Sequence, residues 1–303
     1  MNRREFNNKS LATLASISFL SSLKAQASMM PARPIHSSGE LLPIVGFGSS
    51  KLVSLINELG AERMVEVLAA LQSLGGKLID TWPRNPDNDG VFGEVIARPD
   101  FNANLFITTK IDRIGKENGI LQFDETMRLY QRDQIDLAQI FSLTDLYTHW
   151  PTLVDLKEQG RARYIGVTVS QYELYDDLIR FLDSHQPDFI QVNYSISERL
   201  AENEIIPLAY DKGISIIVNR PFMNGYYFSA LADTDLPDWA QAFGCHTWAE
   251  FSLKYILSNP MITSVLTETS NPDHMLENAG AAIGDMPDDQ QRAQMASYID
   301  SII

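Results

Sequence analysis

The sequence contains a single cysteine, Cys245, in 303 residues. No intrachain disulfide can form, and a metal site built from several thiolates is excluded. The 5 histidines show no metal-binding spacing either. Basic residues are scarce, because 24 lysines and arginines stand against 39 acidic residues for a formal net charge of −15. Nucleic-acid backbones and anionic lipid repel so acidic a chain, so we expect it to bind neither.

Two patterns that would have set the fold class are also missing. The uncharged, mildly apolar stretch at residues 11–23 is too short for a transmembrane helix, which needs about 20 apolar residues. We therefore expect no membrane insertion. No G-x-G-x-x-G motif follows a predicted strand, which argues against a Rossmann domain. With 45% apolar residues, the chain can still bury one large core.

Residues 1–27 have the pattern of an export signal. The adjacent Arg3 and Arg4 lie in a basic head, the apolar stretch follows, and A-Q-A at residues 25–27 offers small side chains for cleavage. The arginine pair and Lys24 near the cleavage site favour the twin-arginine route, which exports folded proteins. The sequence thus predicts recognition by the twin-arginine export machinery and a periplasmic or other extracytoplasmic location. An ordinary secretory signal and a disordered tail remain alternatives.

The remainder, residues 28–303, alternates apolar runs with helical patterns. Eight runs predict strands, at residues 44–48, 78–82, 105–110, 135–141, 164–169, 189–194, 214–218 and 262–266. The helical patterns between and after them cover residues 64–74, 91–97, 124–130, 153–158, 174–182, 205–211, 248–257 and 274–282. Eight such alternations predict a single (β/α)8 TIM barrel, and residues 288–303 predict a C-terminal helix packed on it.

A series of short motifs resembles the aldo-keto reductase superfamily in order and spacing. They are L-P-I-V-G-F-G at residues 42–48, L-I-D-T at 78–81, I-T-T-K at 107–110, I-D-L at 135–137, R-Y-I-G-V-T at 163–168, F-I-Q-V-N-Y-S at 189–195, and T-S-N-P at 269–272 followed by Glu277 and Asn278. The resemblance covers nearly the whole of the barrel. It implies an aldo-keto reductase type of barrel that transfers hydride from NADPH or NADH to an aldehyde or ketone.

The resemblance also implies a catalytic tetrad of Asp, Tyr, Lys and His at the strand ends. Asp80 and Lys110 stand at the Asp and Lys positions. The family reads D-T-S-P-x-Y-G where this chain reads D-T-W-P-R-N-P, so Asn85 occupies the Tyr position. The family His is replaced by Phe141. Because losing a positioned acid forfeits about 10²–10⁴ in rate, any remaining activity should be weak or altered.

Only some of the cofactor-binding positions implied by the resemblance keep a residue of the family's type. Gln191 matches the residue that holds the nicotinamide carboxamide, and Asn193 lies beside it. Thr168 keeps a hydroxyl at the end of the fifth strand, where Val169 replaces an amide. Asn219 replaces the aromatic residue that stacks on the nicotinamide, which weakens binding by about 1 kcal/mol.

The phosphate-binding stretch is retained in outline at residues 269–278. Thr269, Ser270 and Asn271 precede a helix N-terminus, and the positions assigned to the cofactor also include His274 and Asn278. Glu268, however, stands where NADPH-preferring members often carry Lys, and an anion beside a phosphate is unfavourable. NAD, NADP and no cofactor therefore all remain possible.

Each tetrad position also has a purely structural interpretation. Asp80 and Lys110 could form an ion pair without a catalytic role. Asn85 suits a turn before Pro86, and Phe141 suits the core or the lining of a pocket.

Tyrosines outside the tetrad could supply the missing proton. Tyr147, Tyr172, Tyr194, Tyr226 and Tyr227 are the candidates, because several follow predicted strands. Among the histidines, we expect His149 in a surface loop and His185 at a helix end. Two functions remain open: a carbonyl reductase of low or altered activity, and a non-catalytic binding or structural protein on the same barrel.

Overall fold

The computed structural model describes residues 29–303, so the predicted export signal at residues 1–27 lies outside it. Two short strands, β1 (Ala32–Pro34) and β2 (Leu41–Pro43), form an antiparallel hairpin. Eight parallel strands then close into a barrel: β3 (Val45–Gly48), β4 (Leu78–Asp80), β5 (Phe106–Ile111), β6 (Ile135–Phe141), β7 (Ala162–Val169), β8 (Phe189–Asn193), β9 (Ser215–Asn219) and β10 (Ser264–Thr267). The predicted (β/α)8 barrel is confirmed.

Helices connect the strands on the outside of the barrel. They are α1 (Ser50–Ser54), α2 (Ile56–Leu59), α3 (Ala61–Ser73), α4 (Pro86–Ile96), α5 (Pro99–Asn102), α6 (Lys116–Leu129), α7 (Leu146–Glu158), α8 (Tyr175–Ser184), α9 (Leu200–Asn203), α10 (Ile205–Asp211), α11 (Tyr226–Ala230), α12 (Trp248–Leu257), α13 (Pro272–Gly280) and α14 (Asp289–Asp300). Short 3₁₀ turns lie at Tyr172–Leu174, Met223–Gly225 and Asp238–Phe243. Within residues 29–303, no helix is long and apolar enough to cross a membrane.

Along each strand, side chains point alternately into and out of the barrel, so the inward side chains form layers. Inward side chains at the N-terminal end are apolar and buried, and they pack as one cluster of Ile35, Leu42, Leu78, Phe106, Leu137, Tyr164, Phe189, Ile217 and Leu266. Two residues further along several strands, the inward positions are polar. The N-terminal end of the barrel interior is therefore apolar, and a polar mouth lies at the C-terminal ends of the strands.

The hairpin, which was not predicted, closes the apolar end of the barrel. Ile35 and Leu42 enter the interior cluster from it. Between its strands, Glu40 accepts hydrogen bonds from Lys77 at 3.2 Å, from the Tyr164 hydroxyl at 2.8 Å and from Arg163. Burial alone would raise the pKa of Glu40, but these hydrogen bonds and positive charges outweigh it and lower that pKa. Sequence patterning missed the hairpin because its strands have only 3 residues each.

The connection after β6 corrects a prediction. Helix α7 begins at Leu146 rather than near residue 153, and it contains Pro151. His149 therefore lies in a helix and is fully buried, so the expected surface-loop position was wrong. Its Nε2 is 2.6 Å from the Arg113 carbonyl oxygen, and a Cβ on Gly119 would come within 2.5 Å of its ring. The sequence did not indicate the earlier start of this helix, because proline usually marks a helix boundary.

Candidate active site

A buried ion pair lies at the floor of the barrel mouth. The Lys110 Nζ donates to Asp80 Oδ1 at 2.6 Å and to the Thr81 carbonyl oxygen at 3.0 Å. Both side chains are almost fully enclosed, with 4% and 10% exposure. Asp80 Oδ1 also accepts a hydrogen bond from Thr108 Oγ1 at 2.6 Å, and Gln191 Nε2 lies 3.4 Å from Asp80 Oδ2. Several polar partners therefore hold both charges.

The ion pair opens into a cavity of about 710 Å³ at the C-terminal ends of the strands. Ten of the residues singled out from the sequence line it: Asp80, Lys110, Phe141, Thr168, Gln191, Asn219, Thr269, Ser270, Asn271 and His274. The volume lies within the range of about 300–1,000 Å³ typical of ligand pockets. The structure thus brings Asp80, Lys110 and most of the positions that the sequence assigned to a cofactor together around one cavity.

Three of the residues singled out from the sequence lie outside the cavity lining. Asn85 is exposed and caps α4, and its Oδ1 accepts the backbone N–H of Asp87 at 3.0 Å. Asn193 Oδ1 accepts the Tyr175 hydroxyl at 3.1 Å, and Asn278 is buried within α13. Asn85 thus acts as a helix cap followed by Pro86 at the first helical position, a role close to the turn former considered from sequence.

An aromatic stack lines the mouth beside the ion pair. The ring centroids of Trp82 and Phe141 are 3.8 Å apart with planes at 27°, and the Arg84 guanidinium lies 3.1 Å from the Trp82 ring centroid. The Trp82 Nε1 donates to Asp112 at 3.2 Å. Sequence reasoning missed Trp82, although it follows Asp80 by two residues, the period that repeats a strand face. The stack gives this side of the cavity an apolar, planar surface.

None of the five candidate tyrosines lines the cavity. Tyr194 and Tyr227 are completely buried elsewhere, and Tyr147 is 70% exposed on α7. Burial and the nearby negative charge of Glu198 raise the pKa of Tyr172 to about 12, which makes it a poor proton donor at neutral pH. Replacement of the lost acid by one of these phenols therefore finds no support in their positions.

Two buried amide oxygens in the site lack partners within residues 29–303. They are Gln191 Oε1 and Asn219 Oδ1, on the neighbouring strands β8 and β9. Since buried acceptors are nearly always satisfied, these two are suited to the N–H groups of a ligand amide such as a nicotinamide carboxamide. On the same side of the cavity, Ser270 and Asn271 precede the N-terminus of α13, where backbone N–H groups favour a phosphate. The site fits a nicotinamide dinucleotide in these respects.

Glu268 gives the phosphate side of the cavity a negative group. Its Oε1 accepts the Lys51 backbone N–H at 2.8 Å. Burial raises the pKa of Glu268, the hydrogen bond and charge of Lys51 lower it, and the net shift is upward. Within residues 29–303, no group of histidine, cysteine, aspartate and glutamate side chains could hold a metal ion. The charged groups of the described site are therefore amino-acid side chains.

The Aldo/keto reductase family model matches residues 44–299. The chain therefore belongs to this family, as its motifs and the buried Asp80–Lys110 pair had indicated.

Individual relatives are distant. L-galactose dehydrogenase of Arabidopsis thaliana is 23% identical, with 82% of this chain and 87% of the relative aligned. The NADH-specific methylglyoxal reductase of Escherichia coli is 25% identical over 52% of this chain and 58% of the relative. Among solved structures, an aldo-keto reductase from Klebsiella pneumoniae in complex with NADPH has a TM-score of 0.76 at 20% identity and covers 89% of this chain and 95% of its own. This structural likeness shows the fold.

Replacing Asp80 with asparagine should lower the free energy of unfolding by about 3–5 kcal/mol, because it leaves the Lys110 ammonium buried without its carboxylate. Adding Lys110→Met to Asp80→Asn should recover part of that loss, since both charges are then gone. Urea unfolding followed by circular dichroism measures both effects.

The control for this experiment is Asp133→Asn, at an exposed position without a salt bridge in the described chain. It should change the free energy of unfolding by less than about 0.5 kcal/mol. If Asp80→Asn costs no more than this control, the two charges are not buried against each other as described.

Proposed function

We propose that the protein reduces an aldehyde or ketone to an alcohol with a nicotinamide dinucleotide. The observation that carries this proposal is the Asp80–Lys110 pair at the floor of a cavity that also contains the unpartnered amide oxygen of Gln191. Membership of the aldo-keto reductase family supports it.

Residues of the barrel mouth would bind and orient the dinucleotide, which supplies hydride when bound. Gln191 and Asn219 would accept N–H groups of the carboxamide through their buried, unpartnered oxygens. Ser270, Asn271 and the N-terminus of α13 would hold a phosphate. The stack of Trp82 and Phe141 provides a flat apolar surface near Lys110, suited to a planar carbonyl compound and to the exclusion of water.

Lys110 is the group best placed to donate the proton. An ammonium has three N–H donors, and Asp80 and Thr81 accept two of them. The third is free for a carbonyl oxygen, because Lys110 lines the cavity and no tyrosine of residues 29–303 does. As hydride reaches the carbonyl carbon, the proton moves from Nζ to the oxygen, and water later reprotonates the amine. Asp80 stabilises the ammonium form that starts each cycle.

NADH is the dinucleotide that the charges favour. The 2′-phosphate of NADPH would approach the phosphate side of the cavity, where Glu268 is held by Lys51. Like charges repel, whereas a carboxylate can accept hydrogen bonds from ribose hydroxyls.

A second candidate function, ligand binding without catalysis, is favoured by the aromatic stack. Phe141 stands at the position where the family has His. Together with Trp82, it makes that side of the mouth apolar. Such a surface binds planar molecules without contributing a reacting group. The two functions differ in whether bound dinucleotide is oxidised.

Wild-type protein should bind NADH at least about tenfold more tightly than NADPH, as measured by tryptophan fluorescence titration. Glu268→Lys should reverse this preference. Lowering the pH through the raised pKa of Glu268 should reduce it, because a neutral carboxyl no longer repels the 2′-phosphate. Glu94→Lys makes the same charge change at an exposed site on α4 and should leave both affinities unchanged. Equal affinities for both dinucleotides would contradict the role of Glu268, and no binding of either at millimolar concentration would refute the reductase function.

The proton donor is tested by Lys110→Arg, which keeps a positive charge beside Asp80 but cannot release a proton near neutral pH. NADH affinity should stay within about threefold of wild type, while the rate of aldehyde-dependent NADH oxidation falls by about 10²-fold or more. Circular dichroism verifies the fold of the variant. A variant that binds NADH normally and keeps the full rate would mean that Lys110 contributes charge only.

A further inference from the structure

Three side chains form a layered stack that reaches from the surface of the barrel mouth to the cavity. The Arg84 guanidinium carbon lies 3.1 Å from the Trp82 ring centroid, and the Phe141 ring centroid lies 3.8 Å from it. Two groups so close to one centroid cannot share a face of the ring, so Arg84 and Phe141 cover opposite faces of Trp82. Of the two stacked rings, only Phe141 then keeps a face that no other layer covers, and Phe141 lines the cavity.

One carboxylate holds the two outer layers of this stack. The Trp82 Nε1 donates to Asp112 Oδ2 at 3.2 Å, and the Arg84 Nη1 lies 3.4 Å from the same oxygen. The first contact fixes how the indole is turned within its own plane, and the second keeps the guanidinium over it. Asp112 lies outside the cavity lining, so its effect on a ligand passes through Trp82.

The orientation of Asp112 is itself set from helix α6. Gln122 is buried on that helix, and its Nε2 donates to Asp112 Oδ1 at 2.7 Å. Its Oε1 accepts the backbone N–H of Asp112 at 3.0 Å. Both carboxylate oxygens of Asp112 therefore have partners, and a rotation of the carboxylate would break hydrogen bonds on both sides.

The backbone beneath the stack is fixed by a second carboxylate. Asp89, with 2% exposure, accepts the backbone N–H groups of Arg84 and Asn85 on its Oδ2, each at 2.9 Å. This holds the connection between β4 and α4 from which Arg84 projects. A surface that is ordered before a ligand arrives binds more tightly, because no further side-chain entropy is lost.

Both rings of the stack depart from the family pattern. Trp82 stands where the family motif D-T-S-P has serine, and Phe141 stands at the His position. The stack and its support by Asp112 are therefore properties of this chain, and they determine what lies beside Lys110 in the cavity.

We propose that Asp112 is a positioning residue, which orients the free face of Phe141 through Trp82, and that this face selects carbonyl compounds with an aromatic ring next to the carbonyl group. An aromatic ring gains from stacking beyond the area that it buries, whereas a saturated ring of the same size is puckered and has no π-system. The inference rests on the proposed reductase function for its substrate. The selection itself is measurable without turnover.

The test compares two ketones of nearly equal size, acetophenone and cyclohexyl methyl ketone. Binding is measured by calorimetry and by the ligand-induced rise in melting temperature, with NAD⁺ present, which cannot reduce a ketone. Wild-type protein should bind acetophenone about fivefold more tightly than its saturated counterpart.

Asp112→Leu should bring this preference to within about twofold, because Trp82 and Arg84 lose their common acceptor. Asp112→Asn should lose less, since its one amide oxygen can still accept from Trp82 or from Gln122. Trp82→Leu should lose as much as Asp112→Leu, and the double variant should lose no more than either, because both act on the same ring. The near-ultraviolet circular dichroism of the stacked rings should change in Asp112→Leu.

The matched control is Asp155→Leu, which removes an exposed partner of Lys116 outside the cavity and should leave the preference unchanged. Wild-type protein that shows no preference, or that binds neither ketone at millimolar concentration, overturns the proposal whether or not the variants fold. A folded Asp112→Leu variant that keeps the full preference overturns the positioning role, as do additive losses in the double variant. If acetophenone is preferred but no carbonyl compound is reduced, the inference about selection stands and the reductase function fails.

Discussion

The central constraint in this structure is the burial of two opposite charges, Asp80 and Lys110, at the floor of the barrel mouth. Enclosing either charge alone is strongly unfavourable, because removing one partner of a buried ion pair costs about 3–5 kcal/mol. Thr108, Thr81 and Gln191 complete their hydrogen bonding from neighbouring parts of the barrel. The ion pair lies between the apolar cluster at the N-terminal end of the barrel and the cavity at the C-terminal end, which it lines.

The two residues that the resemblance places at the Tyr and His positions have different structural roles. Asn85 has become a helix cap on the outside, whereas Phe141 remains in the cavity and stacks on Trp82. The phenol that would separate Lys110 from a substrate is therefore absent from the described cavity. In the proposed reaction, the Lys110 ammonium would itself contact the carbonyl group.

Much of this arrangement could be predicted from sequence. Eight apolar runs gave the eight barrel strands, because strands buried on both faces are continuously apolar. Asp80 and Lys110 could be assigned through the resemblance to the aldo-keto reductases, which places them at strand ends. The buried position of His149 and the left-handed backbone of Arg220 could not, since a helix that contains Pro151 and a non-glycine residue with φ of 54° both oppose local preference. Tertiary packing decides such positions, and a single sequence does not show it.

The most direct test of the account is the fate of the transferred hydrogen. Protein incubated with a simple aldehyde such as propanal and with NADH that carries deuterium at its transferable position should yield an alcohol with one deuterium, detected by mass spectrometry. The amount of labelled alcohol should fall by about 10²-fold or more when Lys110→Arg replaces wild type. Absence of labelled alcohol from wild-type protein saturated with both ligands would contradict a reductase and leave the barrel as a binding protein.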